Sequence, residues 1–218
     1  MEHKIHEISA GHLTLNKVWE ILRGNYHLHL GEESRSRIVR CREYLDKKIA
    51  NSDVPVYGVT TGFGSLCNIS IDSEQLSQLQ INLMMSHACG VGERVPNEIV
   101  KLMILLKIQS LSYGFSAIKL DTVERLIDFF NNDVYPVVYM QGSVGSSGDL
   151  VPLAHLTLPL VGLGEVEYKG EIISGKELLK RMGWSPIKLA SKEGLALLNG
   201  TQNMAAFCCW SIIQATKL

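Results

Sequence analysis

The chain has 218 residues, of which 46% are hydrophobic and 20% are charged, so it has enough apolar material for a sizeable core. Its formal net charge is −1, from 21 basic and 22 acidic residues, and no block of like charge stands out. Nucleic acid and anionic membranes are therefore not evident partners. No run of about 18 apolar residues predicts a membrane span.

Apolar residues at helical spacing predict a mainly α protein with a few short strands. Helices are predicted at residues 17–24, 32–49, 73–85, 96–111, 121–131 and 174–182, and from 203 onwards. Candidate N-caps are Thr14 or Asn16, Ser73 and Ser174. Extended segments are predicted at 54–59 and 134–138, with a hairpin of 165–168 and 171–173. No βαβ alternation is visible.

The cysteines and the first residues indicate the compartment. The five cysteines are an odd number without CxxC spacing, namely Cys41, Cys67, Cys89, Cys208 and Cys209. Residues 1–11 are polar and lack the basic and apolar regions of a signal peptide. We therefore expect reduced thiols in a cytoplasmic protein. The last helix shows no stop signal, so we expect the chain to be a truncation or one part of a longer product.

The segment most indicative of chemistry is residues 142–150, GSVGSSGDL. A Gly/Ser run is commonly a flexible linker, but this one lies between two apolar stretches, and buried loops are often functional. It does not fit a phosphate-binding loop, since GxxxxGK[ST] and GxGxxG are both absent. It is not the GxSxG elbow of a serine nucleophile either. Composition alone leaves linker and site open.

Residues 142–155 resemble the signature of the ammonia-lyases that form 4-methylideneimidazole-5-one from their own backbone. The resemblance implies that the amide nitrogen of Gly148 attacks the carbonyl of Ser146 and that Ser147 loses its hydroxyl, leaving a methylidene. Glycine lets the backbone fold sharply enough for this attack. The family normally has Ala where this chain has Ser146, a spectator side chain on the ring. Gly145 and Asp149 would support the ring-forming loop.

Three further motifs are similar to the same family. Residues 56–64, VYGVTTGFG, resemble its tyrosine loop, which implies that Tyr57 is the base that removes the substrate β-proton. Residues 82–92 resemble its selectivity motif, and Ser86-His87 matches the pair of histidine-specific members, which implies that His87 recognises the substrate side chain. Residues 192–202 also resemble a segment of the family, which implies that Asn199 lies at the prosthetic group and the substrate carboxylate. Without the family, Tyr57 and His87 would be interpreted as structural residues and Asn199 as a helix-start cap.

The resemblance covers essentially the whole chain and implies an ammonia-lyase/fumarase-aspartase-like fold. Residues 1–200 would be the N-terminal active-site domain, and residues 201–218 the start of a central helical bundle that is cut short. The implied reaction is elimination of ammonia from L-histidine to give (E)-urocanate, with no metal. Whether the substrate amino group or its ring meets the electrophile stays open.

The resemblance also implies partners. In the family, the C-terminal half supplies further site residues, and the site is shared between subunits of a homotetramer. We therefore expect a homotetramer or association with a C-terminal half chain. The alternatives are an aminomutase, a lyase acting on tyrosine or phenylalanine, and an inactive fragment or assembly partner.

Overall fold

The computed structural model describes residues 3–51, 56, 58–61 and 76–216. Its helices are α1 Leu15–Arg23, α2 Glu32–Ala50, α3 Leu76–His87, α4 Asn97–Ser112, α5 Leu120–Asn131, α6 Leu150–Thr157, α7 Gly175–Met182, α8 Glu193–Leu198 and α9 Gln202–Ala215. Its strands are β1 Lys4–Ile8, β2 Tyr26–Leu30, β3 Val91–Arg94, β4 Tyr135–Pro136, β5 Tyr139–Gln141, β6 Glu165–Tyr168 and β7 Glu171–Ser174. The mainly α prediction is confirmed.

Helix α4 is the centre of the core. It is apolar on nearly every side, as expected of a helix surrounded by protein, and Leu102, Met103, Ile104 and Leu105 are all fully buried. Helices α5 and α9 pack along it, and α2 and α1 also contact it. The buried face of α9 includes Ala206, which belongs to the same apolar cluster as α4. Among the described residues, this main apolar cluster extends from Ile8 in β1 to Ile213 in α9, and a small second cluster contains Leu45, Val59 and Ala117.

Several local predictions are confirmed because they depend on residues close in sequence. Thr14 caps α1 by accepting from Lys17 N at 3.2 Å. Ser174 caps α7 in the same way, accepting from Glu177 N. The predicted hairpin is present as β6 and β7, and β4 extends it to three antiparallel strands. Ser73, the predicted cap of α3, lies outside the described residues.

The described residues contain one βαβ unit that the sequence pattern did not reveal. Strand β1 pairs in parallel with β2, from Lys4↔Tyr26 to Ile8↔Leu30, and α1 connects them. The β1 sequence, KIHEI, is polar and only Ile8 is buried, so it carries no strong strand pattern. Its pairing depends on a partner beyond an intervening helix, which local periodicity does not reveal. Strand β3 was also missed, and it pairs with β5 immediately before the Gly/Ser segment.

Within the described residues, no helix combines the length and the apolar character needed to cross a bilayer.

Candidate functional site

The Gly/Ser segment forms a surface loop between β5 and α6. Ser146 and Ser147 are exposed, and Gly148 is half-buried. Gly145 has a φ of +77°, and a side chain there would approach Met204 Sδ of α9 to 4.0 Å. The loop therefore presents Ser146 and Ser147 outward.

Asp149 fixes the C-terminal end of this loop. Its carboxylate is fully buried and accepts from Ser143 Oγ at 2.6 Å and from Met204 N at 2.9 Å. The N-cap residue of α9, Thr201, makes no side-chain capping bond. Asp149 thus supplies the anion that the free N–H groups at a helix N-terminus favour. A flexible linker would not have a buried anchor of this kind, so the linker interpretation is wrong.

Gly148 lies directly against the backbone of Gly200. Its φ is +112°, and a Cβ at this position would lie 2.6 Å from Gly200 O and 3.3 Å from Gly200 N. The next residue continues the contact, because Asp149 N donates to Gly200 O at 2.8 Å. Both the backbone conformation and the available space therefore require glycine at position 148.

Asn199 is placed by the helix that it ends. It is the C-cap of α8, not the helix-start cap that the residue types alone suggested, and it is exposed. Buried Glu193 anchors the start of α8, accepting from Lys119 N at 2.9 Å, Ala190 N at 2.7 Å and Thr122 Oγ1 at 2.8 Å. Burial raises the pKa of this carboxyl. The core thus fixes α8 and, through it, the position of Asn199.

His87 ends α3 and is half-buried. Its Nδ1 lies 2.8 Å from Leu83 O. Because a carbonyl oxygen only accepts, Nδ1 carries the proton, and in the neutral ring Nε2 is the acceptor. An acceptor of this kind suits the N–H of another imidazole.

The segment after His87 is tied to the loop region by His155. Gly90 N donates to His155 Nε2 at 3.0 Å, and burial lowers the pKa of that imidazole, which favours the neutral, accepting form. Tyr139 packs edge-on against His155, with ring centroids 5.1 Å apart. A side chain at Gly142 would come within 3.3 Å of Gly90 Cα. His155 therefore holds the segment that follows His87 beside the loop and is not free to activate a serine.

Lys107 was missed by the sequence reasoning. It lies in the middle of α4, is 1% exposed, and donates from Nζ to Asn199 O at 2.7 Å. Its signal in the sequence was a single lysine within an apolar run, LLKIQ. A buried cation needs a polar partner, so the position was recognisable as special, but the identity of that partner was not.

The structure brings together three of the four motifs singled out in the sequence. The loop at 142–150 contacts the segment that follows His87 on one side and Asn199–Gly200 on the other. Tyr57 lies outside the described residues, and its assignment stays a prediction. Close to it in sequence, Thr60 Oγ1 accepts a hydrogen bond from Val56 N, and Thr61 Oγ1 accepts one from Gly58 N.

The sequence matches a known family model. A model described as aromatic amino acid lyase matches residues 13–218. Histidine ammonia-lyase 2 of Fusobacterium nucleatum is 46% identical over 215 residues, which are 99% of this chain and 42% of that protein. Histidine ammonia-lyase of Symbiobacterium thermophilum is 49% identical over 197 residues, covering 90% and 39%. The chain thus spans about two fifths of the length of these relatives.

Solved structures share the fold. Phenylalanine aminomutase of Pantoea agglomerans superposes with a TM-score of 0.90 at 31% identity, covering 98% of this chain and 40% of that one. Histidine ammonia-lyase of Trypanosoma cruzi gives a TM-score of 0.88 at 33% identity, covering 97% and 40%. The fold is therefore common to proteins named as lyases and as aminomutases.

Replacement of Gly148 tests the contact with Gly200. We expect Gly148→Ala to destabilise the chain more than Gly170→Ala, because Gly170 also has a positive φ of +81° but nothing lies within 4 Å of a Cβ there. The control carries only the left-handed backbone penalty, about 1–2 kcal/mol. Urea denaturation of both variants measures the difference. If Gly148→Ala and Gly170→Ala lose equal unfolding free energy, the backbone at Gly200 can move to accept a Cβ at position 148 without destabilising the chain.

Lys107 makes stability depend on pH. Burial lowers its pKa from 10.5 to about 7. Above about pH 7 the folded chain loses this proton while the unfolded chain keeps it, so the free energy of unfolding should rise with pH. The contribution approaches about 1.4 kcal/mol per pH unit. Urea denaturation between about pH 7 and pH 9.5 measures how the free energy of unfolding changes with pH. This free energy should rise less steeply with pH in Lys107→Met than in the unmodified chain, and equal pH dependence would contradict the assignment.

Proposed function

The chain belongs to the aromatic amino acid lyase family, and we propose that it carries part of the active site of an enzyme that eliminates ammonia from L-histidine to give (E)-urocanate. The relatives that are 44–49% identical are named histidine ammonia-lyases, which supports histidine as the substrate. The single observation that carries the proposal is the loop at 142–150, where Gly148 lies against Gly200 and Asp149 is buried.

We propose that Ser146-Ser147-Gly148 forms the 4-methylideneimidazole-5-one group. A bond forms between Gly148 N and the carbonyl carbon of Ser146, whose oxygen leaves as water. Ser147 loses its hydroxyl and its α-hydrogen as a second water. The positive φ and lack of a Cβ at Gly148 fit a segment that folds back on itself. When formed, the group supplies a neutral electrophile that helps ammonia to leave.

The side chains have separate roles in the proposed site. Tyr57 removes the substrate β-proton, and His87 accepts from the substrate imidazole through Nε2. Asn199 orients the substrate carboxylate. Gly145 and Asp149 hold the ends of the loop. A pocket that hydrogen-bonds the substrate ring discriminates against substrates with an apolar ring more strongly than a pocket that relies on shape alone.

We infer that another chain covers this site. The loop and its neighbours expose apolar side chains, including Val144 at 89%, Val91 at 58%, Met140 at 51% and Met204 at 41%. Contiguous exposed apolar surface is typical of interfaces, and the chemistry requires exclusion of water. A homotetramer or a C-terminal half chain would bury it. In this proposal residues 1–200 form the active-site domain, and residues 201–218 begin the region that joins the partner.

Intact mass tests ring formation. We expect the purified chain, or the chain co-expressed with the region that follows the matched segment in the Fusobacterium relative, to weigh less than its sequence by two waters. Ser147→Ala should lose at most one water, because it has no β-hydroxyl to eliminate, whereas Ser146→Ala should lose both. An unshifted mass in both preparations would contradict the proposal.

Product analysis tests the reaction and its substrate. The co-expressed preparation should release ammonia and urocanate from L-histidine, and His87→Leu should lower the preference for L-histidine over L-phenylalanine by about tenfold or more. A β-amino acid product would instead favour the aminomutase alternative, which the likeness to the Pantoea enzyme raises. Faster turnover of L-tyrosine or L-phenylalanine by the unmodified chain would contradict the substrate.

A further inference from the structure

Lys107 occupies a position that the proposed reaction does not use. Its side chain extends from α4 through the core, with 1% exposure, and ends at Asn199 O, 2.7 Å from Nζ. Among the described residues, it forms no ion pair with a carboxylate. A buried amino group loses its hydration on folding, so its hydrogen bond to Asn199 O is important for its stability in the core.

The bond to Asn199 O orients the peptide that follows. In a planar trans peptide, the carbonyl and the N–H point in opposite directions. Because Lys107 draws Asn199 O towards α4, the N–H of Gly200 points away from α4. Gly200 N indeed lies on the side of the loop, 3.3 Å from the position of a Cβ on Gly148.

The same backbone continues the contact to the ring-forming residues. Gly200 O accepts from Asp149 N at 2.8 Å and blocks any Cβ on Gly148. The Asn199–Gly200 backbone is therefore held between Lys107 on the core side and Gly148–Asp149 on the loop side. The side chain of Asn199, whose carbonyl belongs to this same peptide, is exposed to solvent.

We propose that Lys107 is a positioning residue that sets the Asn199–Gly200 peptide against Gly148 and Asp149, and thereby promotes cyclisation of the loop and orients Asn199. The effect on cyclisation rests on the proposed function. The effect on backbone geometry is independent of it. Lys107 itself touches neither the substrate nor the ring.

Amide hydrogen exchange tests the geometric part. Lys107→Met keeps a long side chain but removes the donor. It should lower the protection of the Asp149 amide by about tenfold, which corresponds to the loss of one buried hydrogen bond. The matched control is Leu105→Ala, a fully buried site two residues away on α4 and on another face of that helix. Equal Asp149 protection in the two variants, measured at matched global stability, would overturn the proposal.

A measurement on the unmodified chain keeps the proposal falsifiable if Lys107→Met does not fold. With lysine labelled at Nζ with ¹⁵N and asparagine at its carbonyl with ¹³C, we expect a through-hydrogen-bond coupling between Lys107 and Asn199. A rapidly exchanging Lys107 amino group without that coupling would overturn the proposal.

Intact mass tests the functional part. The fraction of chains that have lost two waters should fall in Lys107→Met and stay near the unmodified value in Leu105→Ala. Cyclisation of Lys107→Met to the unmodified extent would contradict the role in ring formation. Absence of water loss from the unmodified chain, both alone and co-expressed, would refute the proposed function, while the exchange measurement would still decide whether Lys107 positions the peptide.

Discussion

The buried carboxylate of Asp149 connects the loop to the last helix, and the rest of the site depends on that connection. It accepts from Ser143 Oγ at the start of the loop and from Met204 N in the first turn of α9. A buried charge without such donors would be strongly destabilising. The loop and α9 therefore stabilise each other, because the loop supplies the cap that Thr201 does not provide.

The loop takes its shape from backbone atoms more than from side chains. Gly148 and Gly200 approach too closely for a Cβ between them, and Asp149 N donates to Gly200 O. On the other side, Lys107 holds the Asn199 carbonyl from within the core. The geometry of the loop is therefore specified by rigid elements behind it, which is the kind of support that a preorganised site generally needs.

Much of the fold could be predicted from the sequence because it depends on neighbouring residues. Helix periodicity located α4 and α5, and the Thr14 and Ser174 caps followed from residue type. Strand β1 was missed because its partner β2 lies beyond an intervening helix. Strand β3 was missed because its pairing with β5 is short and irregular. The motifs marked Gly148, Asp149, His87 and Asn199 as candidates, although their roles came from resemblance to a family and not from spacing.

The family, the helical character and the position of the Gly/Ser segment can all be recognised in the order of residues along the chain. These features follow from local conformational preference and from residues in order along the chain. Two contacts became visible only in the fold: Asp149 accepts from Met204 N, 55 residues away, and Lys107 donates to Asn199 O, 92 residues away. The physical reason is that a buried charge must find its partners through packing, and packing joins residues that no local pattern relates.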